Sequence, residues 1–215
     1  MKNFRTICLT AVMAFISFSF NAQDMSIEEL ARKGKEALDK RDYYAALSYY
    51  QAAAEQGDAE SEYQIGMMFF NGMNNGSDLE EAINYFTDAA EHGNLEAQLL
   101  LGMMYNSGIG VAKSVPTAAK WYRKAAETGN AKAEFNLGWI YDEGMGIPQD
   151  YEEAVKWYTK AAENGHPVAQ YNLGVKYYNG EGVKVNDNEA KKWFKRSAAQ
   201  GYSKAAQTLR DLGWE

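Results

Sequence analysis

The feature that most constrains this chain is a five-residue segment that recurs at a constant interval. The segment reads AAENG at residues 161–165 and has near-copies AAEQG (53–57), AAEHG (89–93), AAETG (125–129) and SAAQG (197–201). Each closing glycine follows the previous one by 36 residues. A fixed period of this length is typical of stacked helical hairpins. The sequence therefore predicts an all-α repeat fold of antiparallel helix pairs.

The first half of each period carries the pattern of a helix with one apolar face. Four blocks align without a gap, at residues 58–72, 94–108, 130–144 and 166–180. A small residue, an Ile or Leu and an aromatic residue are spaced four apart, which places them on one helical face. A glycine follows each Ile or Leu, at Gly66, Gly102, Gly138 and Gly174. Because glycine costs a helix interior about 1 kcal/mol relative to alanine, its recurrence predicts a second helix that passes too close for a side chain.

The second half of each period predicts that second helix. Residue types that favour the N-cap position recur at Asp42, Asp78, Ser114, Asp150 and Asn186. In three copies a glutamate follows three residues later, which predicts capping boxes at Glu81, Glu153 and Glu189. An alanine and an aromatic residue, four positions apart, form the apolar face of this helix. We expect the alanine to lie opposite the glycine of the first helix.

Together these columns form the pattern A-x-x-x-L-G-x-x-Y-x-x-G-x-G-V-x-x-D-x-x-x-A-x-x-W-Y-x-x-A-A-x-x-G, which residues 129–165 match at almost every position. This pattern resembles the Sel1-like repeat family, a relative of the tetratricopeptide repeats. The resemblance implies a right-handed superhelical solenoid that acts as a scaffold for protein complexes. The chain is then divided into a tetratricopeptide-like hairpin (23–57), four Sel1-like repeats (58–93, 94–129, 130–165 and 166–201) and a capping half-repeat (202–215).

The N-terminal 22 residues have the pattern of a secretory signal peptide. Lys2 and Arg5 precede an apolar run from Ile7 to Phe20, and we expect cleavage near Ala22. The run is shorter than the roughly 20 residues that span a bilayer, so no stable membrane span is expected after cleavage, although an uncleaved anchor is an alternative. The protein is therefore predicted to be exported by a bacterium, to the periplasm or the medium. The single cysteine, Cys8, lies inside the signal, which leaves the mature chain without disulfides.

The charge of the chain is strongly divided along its length. It has 22 basic and 29 acidic residues, an acidic balance that makes nucleic acid a poor candidate partner. No lysine or arginine occurs from Asp42 to Ala112, whereas seven occur from Lys184 to Arg210. Such polarity would steer a basic partner to the acidic half, or would allow head-to-tail self-association of two chains. It would equally fit two differently solvated surfaces without a partner.

The residues that catalysis requires are scarce. The mature chain has no cysteine, and its two histidines, His92 and His166, occupy different columns of the repeat. Neither Ser-x-x-Lys nor Gly-x-Ser-x-Gly occurs, and no spacing suits a metal site. We therefore expect no enzyme activity, no catalytic or metal-binding residue and no cofactor. A cysteine-rich exported branch of the family is associated with penicillin binding and β-lactamase-type activity, but this chain lacks the cysteines of that branch.

The first helices carry the candidate binding residues. In tetratricopeptide-like stacks the first helix of each pair lines the concave surface, and the positions that vary between copies point to recognition. These are Met67, Phe70, Asn71, Met103, Trp139, Val175, Tyr178 and Asn179. Methionine and aromatic side chains are common at recognition surfaces, so the columns predict a groove for a protein or peptide. Packing between neighbouring repeats is the alternative, and it is preferred for the uniformly apolar column that begins at Tyr63.

Two functions from different classes fit these features. The first is an exported, non-enzymatic adaptor that binds a segment of another protein in its concave groove. The second is a cell-envelope protein that binds peptidoglycan fragments or acts weakly on β-lactams, as the cysteine-rich branch is thought to do. The polar side chains at Asn71, Asn106, Asp142 and Asn179 keep a carbohydrate ligand open.

Overall fold

The computed structural model describes residues 25–73 and 76–215, and all regular secondary structure in this part of the chain is helical. The predicted signal peptide, residues 1–22, lies outside the described residues. The helices are α1 (Ile27–Asp39), α2 (Tyr43–Ala54), α3 (Ala59–Phe70), α4 (Leu79–Glu91), α5 (Leu95–Ser107), α6 (Val115–Ala126), α7 (Ala131–Glu143), α8 (Tyr151–Glu163), α9 (Pro167–Asn179), α10 (Asp187–Ala199) and α11 (Ser203–Asp211). The predicted all-α fold is confirmed. The chain divides into an N-terminal unit that ends at Ala97 and a C-terminal unit that begins at Gln98.

The N-terminal unit is built from two helical hairpins that share one core. Helix α1 packs against α2, α2 against α3, and α3 against α4. Tyr50, Ile65 and Met68 are buried together in this core, with the small residue Ala46 between the helices. Because consecutive helices each contact the next, neither hairpin buries its apolar face alone, which is the packing expected of a repeat protein.

The C-terminal unit has the same kind of packing among α6 to α11. Each of these helices contacts the next along the chain. Tyr158, Leu173 and Trp193 lie in one buried cluster, and Phe194 and Leu209 in the next. Leu209 belongs to α11, whose remaining side chains are mostly exposed. The last helix therefore covers the apolar face of α10 and presents a polar surface outward.

The glycines of the first helices mark the predicted close approach, but the group that approaches is an aromatic ring. A Cβ atom on Gly138 would lie 2.5 Å from the ring of Tyr158. The same relation joins Gly34 to Tyr50, Gly66 to Phe86, Gly102 to Tyr122 and Gly174 to Phe194. The alanine expected opposite the glycine is a neighbour through its backbone: the Ala82 carbonyl oxygen would lie 3.2 Å from a Cβ on Gly66. The aromatic residue stands four positions after the alanine in the second helix, as Phe86 does after Ala82, and its ring covers the glycine.

The second helices begin at the predicted caps, but the predicted capping boxes are only half formed. The Asp150 side chain accepts a hydrogen bond from the backbone N–H of Glu153 (2.9 Å). The backbone N–H of Asp150 donates to the carbonyl of Tyr141 (2.9 Å), and Asp78 and Asn186 donate likewise to the first helix of their own pair. The backbone N–H of the N-cap residue does not need the glutamate as its acceptor. The hairpin turn brings this N–H to a carbonyl oxygen that the end of the first helix leaves unpaired. Glu153 accepts instead from Trp157 Nε1 (2.9 Å).

Candidate functional site

A cleft of about 270 Å³ lies in the N-terminal unit, along the surface of α3. Its lining comes from α1, from α3 and from the turn that follows α3. The lining residues are Leu38, Tyr63, Gln64, Met67, Met68, Asn71 and Met73. Three of the seven are methionines, whose flexible and polarisable side chains adapt to differently shaped ligands. The cleft is therefore apolar and adaptable, with amide groups at Gln64 and Asn71.

Local backbone structure explains why the methionines converge. Met68 faces the core and is only 1% exposed, while its neighbour Met67 is half-buried on the adjacent face of α3. The helix ends at Phe70, and Gly72 adopts a left-handed conformation with φ 68°, which glycine adopts at little cost. This turn brings the backbone N–H of Met73 back to the carbonyl of Met68 (2.9 Å). The C-terminal end of α3 and the turn after it thus provide Met67, Met68 and Met73 to the lining of the cleft.

Acidic side chains lie at the Tyr63 end of the cleft. Burial, followed by the charges of Glu96 and Glu60, raises the pKa of Tyr63. The Glu60 carboxylate accepts hydrogen bonds from Gln64 Nε2 (2.7 Å) and from Asn94 Nδ2 (2.9 Å). Because Gln64 lines the cleft, these bonds hold one carboxylate beside its rim. The ring of Tyr63 packs against Phe86 with centroids 5.8 Å apart, in line with the packing role preferred for its column.

The eight predicted groove residues have different surroundings. Met67 and Asn71 line the cleft, and the Asn71 side chain donates to the carbonyl of Met67 (2.8 Å). Phe70 packs against the core ring of Phe86, with centroids 6.3 Å apart. In the N-terminal unit, therefore, two of the three predicted residues lie at the cleft and the third belongs to the packing.

In the C-terminal unit the predicted residues are divided between surface and packing. Met103 and Tyr178 are each 43% exposed. Trp139 and Val175 are half-buried and pack against the core clusters. The Tyr178 ring meets the edge of Trp214 at 5.8 Å between centroids, and Asn179 Nδ2 donates to Glu181 (3.2 Å).

Sequence reasoning missed Leu38, Met68 and Met73 as neighbours of Met67. Leu38 lies in the first hairpin, outside the four aligned blocks, so no column comparison could connect it to the site. One signal was present: three of the nine methionines of the chain fall between residues 67 and 73.

A second cluster, which sequence reasoning missed entirely, surrounds Lys176 in the C-terminal unit. Lys176 is only 5% exposed and forms ion pairs with Asp142 and with Glu181, the latter at 2.6 Å. Its Nζ lies 4.4 Å from the centroid of the Tyr151 ring. Burial alone would lower the pKa of Lys176, but the two carboxylates reverse this and raise it above its ordinary value. The available signal was a lysine in a column whose other members, Met68, Met104 and Ile140, are buried and apolar.

The two histidines lie at helix ends, in opposite electrostatic settings. His92, the C-cap residue of α4, places Nδ1 2.9 Å from the nearly buried carboxylate of Glu62. This hydrogen bond and the charge of Glu62 raise the pKa of His92. His166, the N-cap residue of α9, accepts the backbone N–H of Ala169 at Nδ1 (3.2 Å) and stacks on Phe135. Burial and then the charge of Lys132 lower the pKa of His166.

We predict that the two imidazoles titrate on opposite sides of the ordinary histidine value of 6.5. The contribution of His92 to stability is therefore present below that pH and lost as the pH rises through its folded pKa. The contribution of His166 is present above it and is lost as the pH falls below it, because a protonated ring cannot accept the cap hydrogen bond. NMR titration of the imidazole Cε1–H signals would measure both values.

The variant His92→Asn assigns the two signals of this titration. Asn164 stands in the same column and donates to Glu134 (2.9 Å), so the repeat accommodates the amide. The signal with the higher pKa should disappear in this variant. Two titrations that coincide near 6.5 would contradict the prediction.

Neither a metal site nor a membrane-crossing helix is found in residues 25–73 and 76–215. No group of three or more His, Cys, Asp or Glu side chains in these ranges could hold a metal ion. Within the same ranges, no helix is both long enough and apolar enough to cross a bilayer.

Comparisons with known proteins agree with this architecture. A Sel1 repeat protein from Oxalobacter formigenes is 35% identical, with a TM-score of 0.76 over 84% of this chain and 74% of that chain. The c5321 protective antigen of uropathogenic Escherichia coli, which has an SLR fold, is 36% identical, with a TM-score of 0.70 over 76% of this chain. The match covers 35% of the c5321 chain, so the present chain corresponds to about a third of it. No curated protein matches the sequence.

The family model of the Sel1 repeat accounts for most of the chain. It matches residues 29–58, 59–94, 95–130, 131–166 and 167–202. The first hairpin resembles a tetratricopeptide unit in its sequence. The family model matches it, at residues 29–58, as a further copy of the same repeat. With the paired helices, the glycines beneath aromatic rings and these five matches, the chain belongs to the Sel1 repeat family.

Proposed function

We propose that this protein is an exported, non-enzymatic adaptor that holds a segment of another protein in the cleft of its N-terminal unit. The observation that carries the proposal is the convergence of Met67, Met68 and Met73 on one half-open apolar cleft. Proteins built from Sel1 repeats generally act as scaffolds for protein interactions, which supports a binding role over a catalytic one. The export component rests on the sequence of residues 1–22.

The size of the cleft favours a polypeptide anchor over a whole small molecule. Pockets that enclose drug-sized ligands usually measure about 300–1,000 Å³, and this cleft is slightly smaller at about 270 Å³. A protein segment needs only one or two apolar side chains in such a site, with the rest of its contacts on the surrounding surface.

The alternative, a ligand derived from peptidoglycan or a β-lactam, has less support in the geometry. Sugar recognition would use polar side chains clustered beside an aromatic platform. Three of the four side chains that kept this alternative open already have partners within the chain: Asn71 donates to Met67, Asn179 donates to Glu181, and Asp142 pairs with Lys176. Muropeptides and a labelled penicillin therefore enter the test as competing ligands.

The test is selection of a binding peptide followed by a matched pair of variants. A random dodecapeptide library displayed on phage would be selected against the mature chain, and the affinity of the best peptide measured by fluorescence polarisation. We expect Met67→Ala to weaken binding about tenfold, the effect of losing one well-packed anchor contact. Met103→Ala is the control, because Met103 occupies the same column in the C-terminal unit and is 43% exposed.

Three outcomes would overturn the proposal. One is failure to select any peptide, and another is equal loss of affinity in both variants. The third is binding of muropeptides or penicillin that Met67→Ala abolishes, which would favour the envelope-ligand alternative. Circular dichroism of both variants would establish that they are folded before the affinities are compared.

A further inference from the structure

We propose that the segment held in the cleft is basic, with lysine or arginine residues beside its apolar anchor. This inference rests on the proposed function and specifies the chemical class of the partner. It depends on the charge of the N-terminal unit, on two carboxylates at the rim of the cleft, and on the variation of those two positions between repeats.

The unit that contains the cleft is strongly acidic. Between residues 25 and 97 there are fifteen acidic and five basic residues, whereas residues 98–215 contain thirteen acidic and fifteen basic ones. Two of the five basic residues are already paired along α1, Arg32 with Glu36 and Lys33 with Glu29. The field around the cleft is therefore negative, and such a field raises the association rate of a cationic segment.

Two of these carboxylates act on residues that line the cleft. Glu60 accepts a hydrogen bond of 2.7 Å from Gln64, Glu96 lies in the first turn of α5, and both charges help to raise the pKa of Tyr63. Both glutamates are exposed. Among the ion pairs found in the described part of the chain, none involves either residue. Their charges are therefore available to a ligand that occupies the cleft.

The remaining basic residues of the unit lie on or after α1. Lys35, Lys40 and Arg41 are exposed, and Leu38 of the same segment lines the cleft. The cationic residues of the bound segment should therefore lie towards Tyr63 and Gln64. This defines an orientation for the segment as well as its charge.

The two carboxylates are not required by the repeat itself. The positions equivalent to Glu60 and Glu96 are occupied by Lys132 and Val168 in the next two repeats. Lys132 is likewise exposed near the start of its helix. Glu60→Lys and Glu96→Lys thus introduce a side chain that the fold already carries in this column, so the double variant is expected to fold.

The experiment uses three peptides that share one apolar anchor, taken from the best binder of the cleft, and carry lysine, serine or glutamate at the same flanking positions. We expect the lysine peptide to bind the mature chain at least about tenfold more tightly than the glutamate peptide at low salt. Raising the salt from about 20 mM to about 500 mM should reduce the difference, because surface charges are screened. The Glu60→Lys, Glu96→Lys double variant should lose the preference while still binding the serine peptide.

The outcomes separate this inference from the proposed function. If all three peptides bind equally and Met67→Ala still weakens them, the cleft is a peptide site and only the basic preference is wrong. If none of them binds, the proposed function fails as well. The main competing occupant is a second copy of this chain, whose residues 184–210 carry seven basic side chains. Light scattering that shows salt-sensitive self-association, lost in the double variant, would overturn the choice of a separate partner.

Discussion

The substitution Gly138→Ala is expected to destabilise the protein by about 2 kcal/mol, although alanine ordinarily stabilises a helix by about 1 kcal/mol relative to glycine. The sign reverses because the new Cβ would lie 2.5 Å from the ring of Tyr158. That ring is fully buried, and its hydroxyl donates to Asp142 (3.2 Å), so it has little freedom to move aside. Overpacking of this kind usually costs about 1–3 kcal/mol. Urea unfolding followed by circular dichroism would measure the change.

The control for this prediction removes the ring. In the double variant Gly138→Ala, Tyr158→Leu, the methyl group no longer meets an aromatic side chain. The double variant should therefore lose less stability than the sum of the two single variants, since the two positions are in direct contact. A Gly138→Ala protein as stable as the wild type would contradict the packing described for this column.

The repetition of the sequence explains why the fold could be predicted. Five copies allow the chain to be compared with itself, so glycines such as Gly66 and Gly138 stand out as positions set by packing. The caps could be predicted as well, because an N-cap side chain bonds to a backbone group within its own first turn. The predicted capping boxes form only in part, because the backbone N–H of Asp150 donates to the carbonyl of Tyr141 across the hairpin turn. No local sequence pattern reveals this hydrogen bond.

The candidate site depends on features that occur in one copy only, and these could be predicted only in part. Met67 was identified from its column, but its neighbours Leu38 and Met73 come from other elements of the fold. Phe70 was assigned to the groove, whereas it packs on Phe86. A helical phase gives the face on which a residue lies, and it does not tell whether a neighbouring element covers that face. Separating cleft from packing therefore required the tertiary contacts.

Lys176 illustrates the same limit and supplies the second large prediction. In the other copies this position and the one five residues later both carry apolar residues, as in Met68 and Met73 or Ile140 and Met145. In the last copy that pair is Lys176 with Glu181, joined by Asp142 from the preceding repeat. Charged side chains therefore stand at a buried position where the other copies carry apolar ones.

Replacing Lys176 alone should be strongly destabilising. Lys176→Ile would leave the carboxylate of Asp142, whose side chain is 13% exposed, without its cationic partner. Loss of one partner from a buried pair costs about 3–5 kcal/mol. Because the Glu181 side chain is 35% exposed and can be solvated, we expect a value near the lower limit, about 3 kcal/mol. Chemical denaturation at neutral pH would measure this loss.

Restoring the apolar arrangement of the preceding repeat should recover most of that stability. The triple variant Lys176→Ile, Glu181→Met, Asp142→Asn uses the residues found at the equivalent positions Ile140, Met145 and Asn106. Well-packed apolar groups often match or exceed a buried ion pair, because they avoid the cost of removing charges from water. The asparagine retains an oxygen that can accept the hydrogen bond from Tyr158. If the triple variant were as unstable as Lys176→Ile, apolar side chains would be unable to replace the ion cluster. The ion pairs would then be required for the packing of α7, α8 and α9 in this unit.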